Sequence, residues 1–256
     1  LTQMDRLFPA FAAPQVRLEL TLDTIANMFR PDSVSVPTDF VISDVEIVYK
    51  MIDLGSETEA MVRSMGDILI RSSSFINSAS VLSAGTSGAV SLTYQNRLAS
   101  IKSLFLLCSS SQGDSNLWGD AVDITSGNGT YQFQVAGVMH PSLPLDSRNK
   151  AGVLASLKQA CGSIYDKQNS QSINQREFSV NDGVATSINT PGKFVPAVDT
   201  EITAGQLLSG VSSANSAISV QLTLGTPTVD AHNVALLVAY DALVAINADG
   251  TASVRM

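Results

Sequence analysis

Positive charge is scarce in this sequence. Fifteen lysines and arginines stand against 23 aspartates and glutamates, giving a formal net charge of −8 and a pI of about 4.6. No stretch concentrates the basic residues. Sequence-independent nucleic-acid binding needs a basic footprint, and docking on an anionic bilayer needs clustered lysine or arginine. Neither is visible, so the sequence argues for neither partner. Charge of either sign is thin, at 15% of residues, while 45% of the 256 residues are hydrophobic. A chain of this kind buries on the order of 70–75% of its unfolded surface. It does not belong to the disordered class, and its length permits one large β domain or two small ones.

Cysteine is nearly absent. Cys108 ends the apolar run LFLLC and Cys161 lies in a helical pattern. Two buried free thiols are expected, not a disulfide-framed module. Aromatics make up 6%, with Trp118 the single tryptophan. No apolar stretch reaches the length of a membrane-spanning helix. The opening LTQMDRLFPAF has no initiator methionine and already reads as structured sequence, so the chain is expected to be part of a longer one.

Reaction motifs are missing too. There is no G-x-S-x-G elbow, H-E-x-x-H, C-x-x-C, P-loop or dinucleotide fingerprint. GTSGA (85–89) lacks the strand–Ser–helix context a nucleophile needs. The two histidines, His140 in MHPS and His232 in DAHN, read as loop residues. Asp230 stands two residues before His232, but a metal site needs three or four ligands. Glu57 with Glu59, and Asp199 with Glu201, read as solvated charges; a glycosidase would need two carboxylates facing each other across a cleft. Asp114, Asp120 and Asp123 form an acidic loop without EF-hand spacing. Asn128, Gly129 and Thr130 match a glycosylation acceptor and read as a turn. Enzymes tend to show convergent titratable residues. The expectation is therefore a protein that is not an enzyme, with no catalytic, cofactor-binding or metal-binding residue and no cofactor.

Period-two alternation is what the sequence has in quantity. QVRLELTLD (15–23) sets Val16, Leu18, Leu20 and Leu22 on one face. VEIVYK (45–50) alternates Val45, Ile47 and Tyr49 against Glu46, Val48 and Lys50, which is the grammar of a strand. It runs into a short helix over 56–65, where Ser56 as cap and Glu59 three residues later make a capping box. One or two strands are expected over 67–82, then a turn at 83–88 and strands over 89–96 and 98–108. The last of these is apolar on both faces and so covered on both. GNGT (127–130) is a turn. YQFQVAGV (131–138) is a strand with Tyr131, Phe133 and Val135 inward, and MHPSLPLDS (139–147) is a proline-rich connector.

Residues 149–165 change period: Val153, Leu154, Leu157, Ala160, Cys161 and Ile164 fall at helical spacing. Short strands are expected around Glu177–Val180 and Phe194–Asp199, then AISVQLTL (217–224), and a long apolar strand or strand pair over 232–246 closed by the NADG turn (247–250). Roughly nine to eleven strands, two helices and very unequal loops predict an all-β, antiparallel β-sandwich of Greek-key or jelly-roll type.

The order of these features resembles the major capsid proteins of double-jelly-roll DNA viruses, in the virophage, polinton-like and adintovirus-like branch. FPAFAAPQVRLELTL (8–22) and DFVISDVEIVYKMIDLGSETEAMVRSM (39–65) look like the last strands of a first roll and the short acidic helix that bridges to the second. NRLASIKSLFLLCSS (96–110) is similar to an early second-roll strand. YQFQVAGVMHPSLPLDS (131–147), followed by a helix, is similar to the family's strand, proline segment and inserted helix. KFVPAVDTE (193–201), LLSGVSSANSAISVQLTL (207–224) and VAYDALVAINADGTASVRM (238–256) look like its C-terminal strands.

The resemblance implies a first-roll tail over 1–55, a bridging helix over 56–66, and a second jelly roll over 67–256 with an inserted helix near 149–165. It implies a structural capsid subunit of the virion. Such a subunit forms homotrimeric, pseudo-hexagonal capsomers in an icosahedral shell, with neighbouring capsomers, penton and minor capsid proteins as partners. The residues alone also admit a carbohydrate-binding or adhesin-like β-sandwich, or a β-sandwich hydrolase with a carboxylate pair.

Overall fold

The computed structural model describes residues 9, 17, 19–22, 39–48, 50–110, 121–162, 173, 178, 193–203, 206–247 and 251–255. Helix α1 is Ser56–Ser64, and strands β1 to β5 are Ile68–Leu82, Gly88–Tyr94, Ile101–Ser110, Gly129–Val135 and Val138–Asp146. Helix α2 follows at Lys150–Ala160, then β6 to β9 at Ala197–Asp199, Ile218–Leu224, His232–Ile246 and Ala252–Arg255.

One sheet runs in the order β1-β8-β3-β6, with β9 paired on β8, and the other in the order β2-β7-β4-β5. The ladders β2·β7, β4·β7, β4·β5, β3·β6, β3·β8 and β8·β9 are antiparallel. The neighbours β1·β8, β2·β7, β3·β6 and β4·β5 show the logic. The chain runs out through four strands and returns alongside itself through the next four, so a long double-stranded ribbon has been wound into two sheets. That winding is a jelly roll, one of the two sandwich types that the uneven loops predicted.

The core lies between the inward faces. β7 contributes Ile218, Val220, Leu222 and Leu224, and β4 contributes Tyr131, Phe133 and Val135. Opposite stand Leu104, Leu106 and Cys108 of β3 and Val234, Leu236 and Val238 of β8, all buried. Each large aliphatic or aromatic side chain removed from water here stabilises by ~1.5–3 kcal/mol. The Tyr94 hydroxyl of β2 crosses the layer to donate to the Val234 carbonyl at 3.0 Å. Helix α2 is capped by Asn149, whose side chain accepts from the Gly152 amide at 3.0 Å. It buries Val153, Leu154, Leu157 and Ala160. The helix also covers the outer side of β3 and β6: Ser103 donates to the Ala160 carbonyl at 2.8 Å and Ser156 to the Ala197 carbonyl at 2.6 Å. This is the double cover expected of β3, though it ends before Leu107, which is exposed.

Several expectations are corrected. The stretch 139–147 is no connector but most of β5. It lies at the end of its sheet order, where proline removes no needed donor. Ala136 and Gly137, at φ 51° and 82°, form the tight hairpin turn that joins it to β4, because both central residues of such a turn take positive φ. In place of one or two strands over 67–82, and a strand or strand pair over 232–246, β1 and β8 are each one long strand. The capping box is absent: Gly55 is the N-cap and no side chain bonds there. The Asp53 side chain instead accepts from the Gly55 amide at 2.9 Å, fixing the turn before the helix.

The strand expected over 45–50 is absent among the described residues, and Arg17 and residues 19–22 are likewise irregular. Val45, Ile47 and Val48 are exposed, as are Leu20 and Leu22. Alternation without a neighbouring ladder leaves backbone groups hydrated and makes no strand. The remainder of 15–23, the loop 111–120, residues 163–165, most of Glu177–Val180 and most of NADG lie outside the described residues; Phe178 is buried.

The chain divides into two compact units, residues 74–241 and residues 1–73 with 242–256. The first of these contains β2 to β7 whole, with α2.

Candidate functional site

Two clusters of buried charge are the places where chemistry could reside. The first centres on Asp123, which is fully buried. Its Oδ1 accepts from the Thr125 amide at 3.1 Å, the Thr125 hydroxyl at 2.6 Å and the Tyr131 hydroxyl at 2.7 Å. Its Oδ2 accepts from the Gly127 amide at 3.1 Å and pairs with Lys150 Nζ at 3.3 Å. Lys150, the first residue of α2, lies 4.8 Å from the centre of the Phe194 ring, which packs against Tyr131 and Phe178. Burial first, and the Asp123 charge second, push the Tyr131 phenol well above its usual range. Every acceptor direction of Asp123 is occupied by a donor that fixes the turn before β4. The arrangement holds a loop and leaves no lone pair for a calcium ion. Asp114 and Asp120 lie outside the described residues.

The second cluster joins β3, β8 and the segment after β6. Asp241 accepts from the Ser100 hydroxyl at 2.7 Å and the Leu208 amide at 2.9 Å. Lys102 Nζ lies 3.3 Å from Glu201 Oε1 and 4.0 Å from Asp241 Oδ1. Glu201 is therefore not the solvated charge its sequence suggests. Its neighbour Asp199 is half-buried, and burial raises its carboxyl despite hydrogen bonds from Glu201 and Gln159. Lys102, which pairs with Glu201, also lies close enough to Asp199 to oppose that shift. Lys102 and Asp241 stood out in no sequence motif; the signal that could have found Asp241 is a lone acid inside the apolar run HNVALLVAYDALVAI.

The remaining candidates are dispersed. Both histidines lie in strands, a correction to the loop reading: His140 is in β5 and His232 opens β8, in different sheets. Burial lowers both imidazoles, a shift that Asp230 opposes at His232. Ser87 is exposed in the turn before β2. On α1, Glu57 is exposed and Glu59 half-buried. Asn128 is exposed in its turn. Cys108 is buried and Cys161 half-buried, both free, with burial raising each thiol. Among the described residues no three His, Cys, Asp or Glu side chains could hold a metal ion, and no helix is long and apolar enough to cross a membrane.

Apolar surface is the other notable feature. β1, at the end of its sheet order, exposes Leu69, Phe75 and Val81 on one face. Val138 and Leu143 of β5, Ile202, Leu208 and Val229 are also exposed, as are Val41, Ile42, Val45, Ile47, Val48, Met51, Ile52 and Leu54. Among the described residues Phe75 is the one exposed aromatic side chain. A sugar-binding platform of stacked rings is thus not formed by them.

No protein-family model matches the sequence. No curated protein sequence matches it either. Solved structures do. PBCV-1 VP54 fitted into a cryo-EM reconstruction of the virophage Sputnik is similar at 12% identity and a TM-score of 0.43, over 79% of this chain and 55% of that one. The PBCV-1 virus capsid is similar at 12% and 0.38, over 74% and 51%. The mavirus major capsid protein is similar at 10% and 0.40, over 74% and 41%. The chain spans about half the length of these structures.

Proposed function

We propose that this chain is a structural subunit of a viral capsid, not an enzyme. The observation that carries the reading is a wound jelly roll that, among the described residues, forms no metal cluster and leaves large apolar side chains such as Phe75, Val81 and Leu143 exposed. A protein that works by packing needs that distribution. Obligate interfaces are apolar at their centre and depleted of charge, and this sequence carries little charge to deplete. The motif resemblance from 8–22 through 238–256 supports the same reading.

In this proposal residues 1–55 close a first roll, 56–66 bridge, and 67–256 form the second roll. Three copies associate upright into a pseudo-hexagonal capsomer, and neighbouring capsomers, penton and minor capsid proteins complete the virion shell. Burial well above ~2,000 Å² is expected for such an obligate assembly.

Sedimentation and electron microscopy of the expressed full-length gene product test it. Trimers that tile into pseudo-hexagonal arrays are the expected result. A compact monomer at micromolar concentration that binds immobilised glycans would overturn it in favour of a carbohydrate-binding sandwich.

A further inference from the structure

We propose that Lys102 and Asp241 join through a spontaneous intramolecular amide bond, with Glu201 moving the protons. The antiparallel register of β3 and β8 sets Ile101 opposite Tyr240 and Ser103 opposite Ala239. Lys102 is therefore the extra residue of a β-bulge. Bulges re-aim side chains, and this one places Lys102 Nζ between two carboxylates, 3.3 Å from Glu201 and 4.0 Å from Asp241. The side chains of Glu201 and Asp241 are 12% and 4% exposed, so water competes little for the lysine.

The surroundings of Asp241 go beyond what an ion pair requires. Its Oδ2 receives the Ser100 hydroxyl at 2.7 Å and the Leu208 amide at 2.9 Å. Leu208 presents that amide from a positive φ of 59°, a conformation unfavourable for leucine, and its side chain is exposed. Gly210 keeps the segment in place: its amide donates to Ser100 at 3.0 Å, and a Cβ there would collide with the Ile101 carbonyl. Backbone strain has thus been accepted to aim a donor at one carboxyl oxygen. Two fixed donors within 2.9 Å of one oxygen form the site that stabilises a tetrahedral oxyanion.

The step balances without oxidant or cofactor. A proton passes from the Lys102 ammonium through Glu201 to Asp241 Oδ1, which leaves a neutral amine facing a neutral carboxyl group. Nζ attacks Asp241 Cγ, and negative charge develops on Oδ2 against its two donors. As the intermediate collapses, Oδ1 leaves with that proton and a second one that Glu201 relays from Nζ, as one water molecule. Ammonium and carboxylate become a neutral amide, and Glu201 is restored. Reacting atoms must come within about 3–3.5 Å, a small closure for a flexible four-carbon side chain.

Mass spectrometry of the full chain, folded, purified and then denatured, tests this. The expected intact mass is one water below the sequence mass, with a single branched peptide carrying Lys102 and Asp241 after proteolysis. Lys102→Arg and Glu201→Gln, each checked by a cooperative melt, should show the full mass. The full mass in the unsubstituted protein overturns the proposal. So does a water loss mapping to Asp182, Asp249 or the Lys150–Asp123 pair. A bond that persists in Glu201→Gln overturns the role given to Glu201.

Discussion

ISVQLTL of β7 and VEIV at 45–48 both alternate, and only one of them is a strand. In β7, Ile218, Val220, Leu222 and Leu224 are buried, and the strand is laddered on both sides, to β2 and to β4. In residues 41–48 the apolar positions Val41, Val45, Ile47 and Val48 are exposed and no ladder forms among the described residues. Alternation says which face would be buried. Burial itself requires neighbours that satisfy the backbone on both edges and apolar area to pack against. The first segment has both; among the described residues the second has neither.

The comparison is tested most severely at Leu222, which is 1% exposed between two ladders. Leu222→Asp places an unpaired carboxylate in the centre of the sandwich. A loss of ~4–5 kcal/mol or more is expected, enough to abolish the cooperative melt followed by circular dichroism. A variant that melts normally would show that β7 is less central than its register implies.

Asp123→Ala comes next. It leaves the Tyr131 hydroxyl, the Thr125 and Gly127 amides and the Lys150 ammonium without their shared acceptor. Removing one partner of a buried ion pair costs about 3–5 kcal/mol, read here as a lower urea midpoint with an unchanged slope. Lys150→Met should cost less, because the carboxylate keeps its hydroxyl and amide donors. Equal losses would mean that the charge pair, not the turn it anchors, does the holding.

Much of the roll was legible in the sequence. The alternating runs 89–96, 98–108 and 217–224 became β2, β3 and β7, and the helical spacing from Val153 to Ala160 became α2. β5 was hidden by Pro141 and Pro144, since proline reads as a break unless the strand is known to sit at a sheet edge, and edge position is a property of topology. The Ala136–Gly137 hairpin was hidden for a similar reason: alanine is an uncommon residue at positive φ. The buried clusters were illegible because their members come from separate strands. Lys102, Glu201 and Asp241 meet only after β3, β6 and β8 have been ordered side by side, and sequence spacing carries no trace of that order.

Acid gives a smaller and graded effect. Burial lowers His232 and His140 below their ordinary value, so the native state holds these imidazoles neutral while the unfolded chain binds protons first. Their contribution is complete above pH about 6.5 and is lost as pH falls toward the lowered native values. The melting temperature should therefore drop between pH 7 and 5.5, at no more than ~1.4 kcal/mol per pH unit for a single proton. His232→Gln should flatten that slope. An unchanged slope would assign the acid sensitivity to other groups.

The smallest effect on folding is expected at Ile47, which is 65% exposed. Ile47→Asp should leave the stability of the isolated chain within about 0.5 kcal/mol, as surface substitutions do. The same change should weaken self-association measured by sedimentation, because an apolar face that is to be covered cannot accept a charge without the penalty of burying it. The pairing of outcomes separates the two halves of the comparison. A fall in stability would mean that residues 41–48 already pack as a strand. Unchanged association would mean that nothing covers them, and the segment would then be no part of a closing roll.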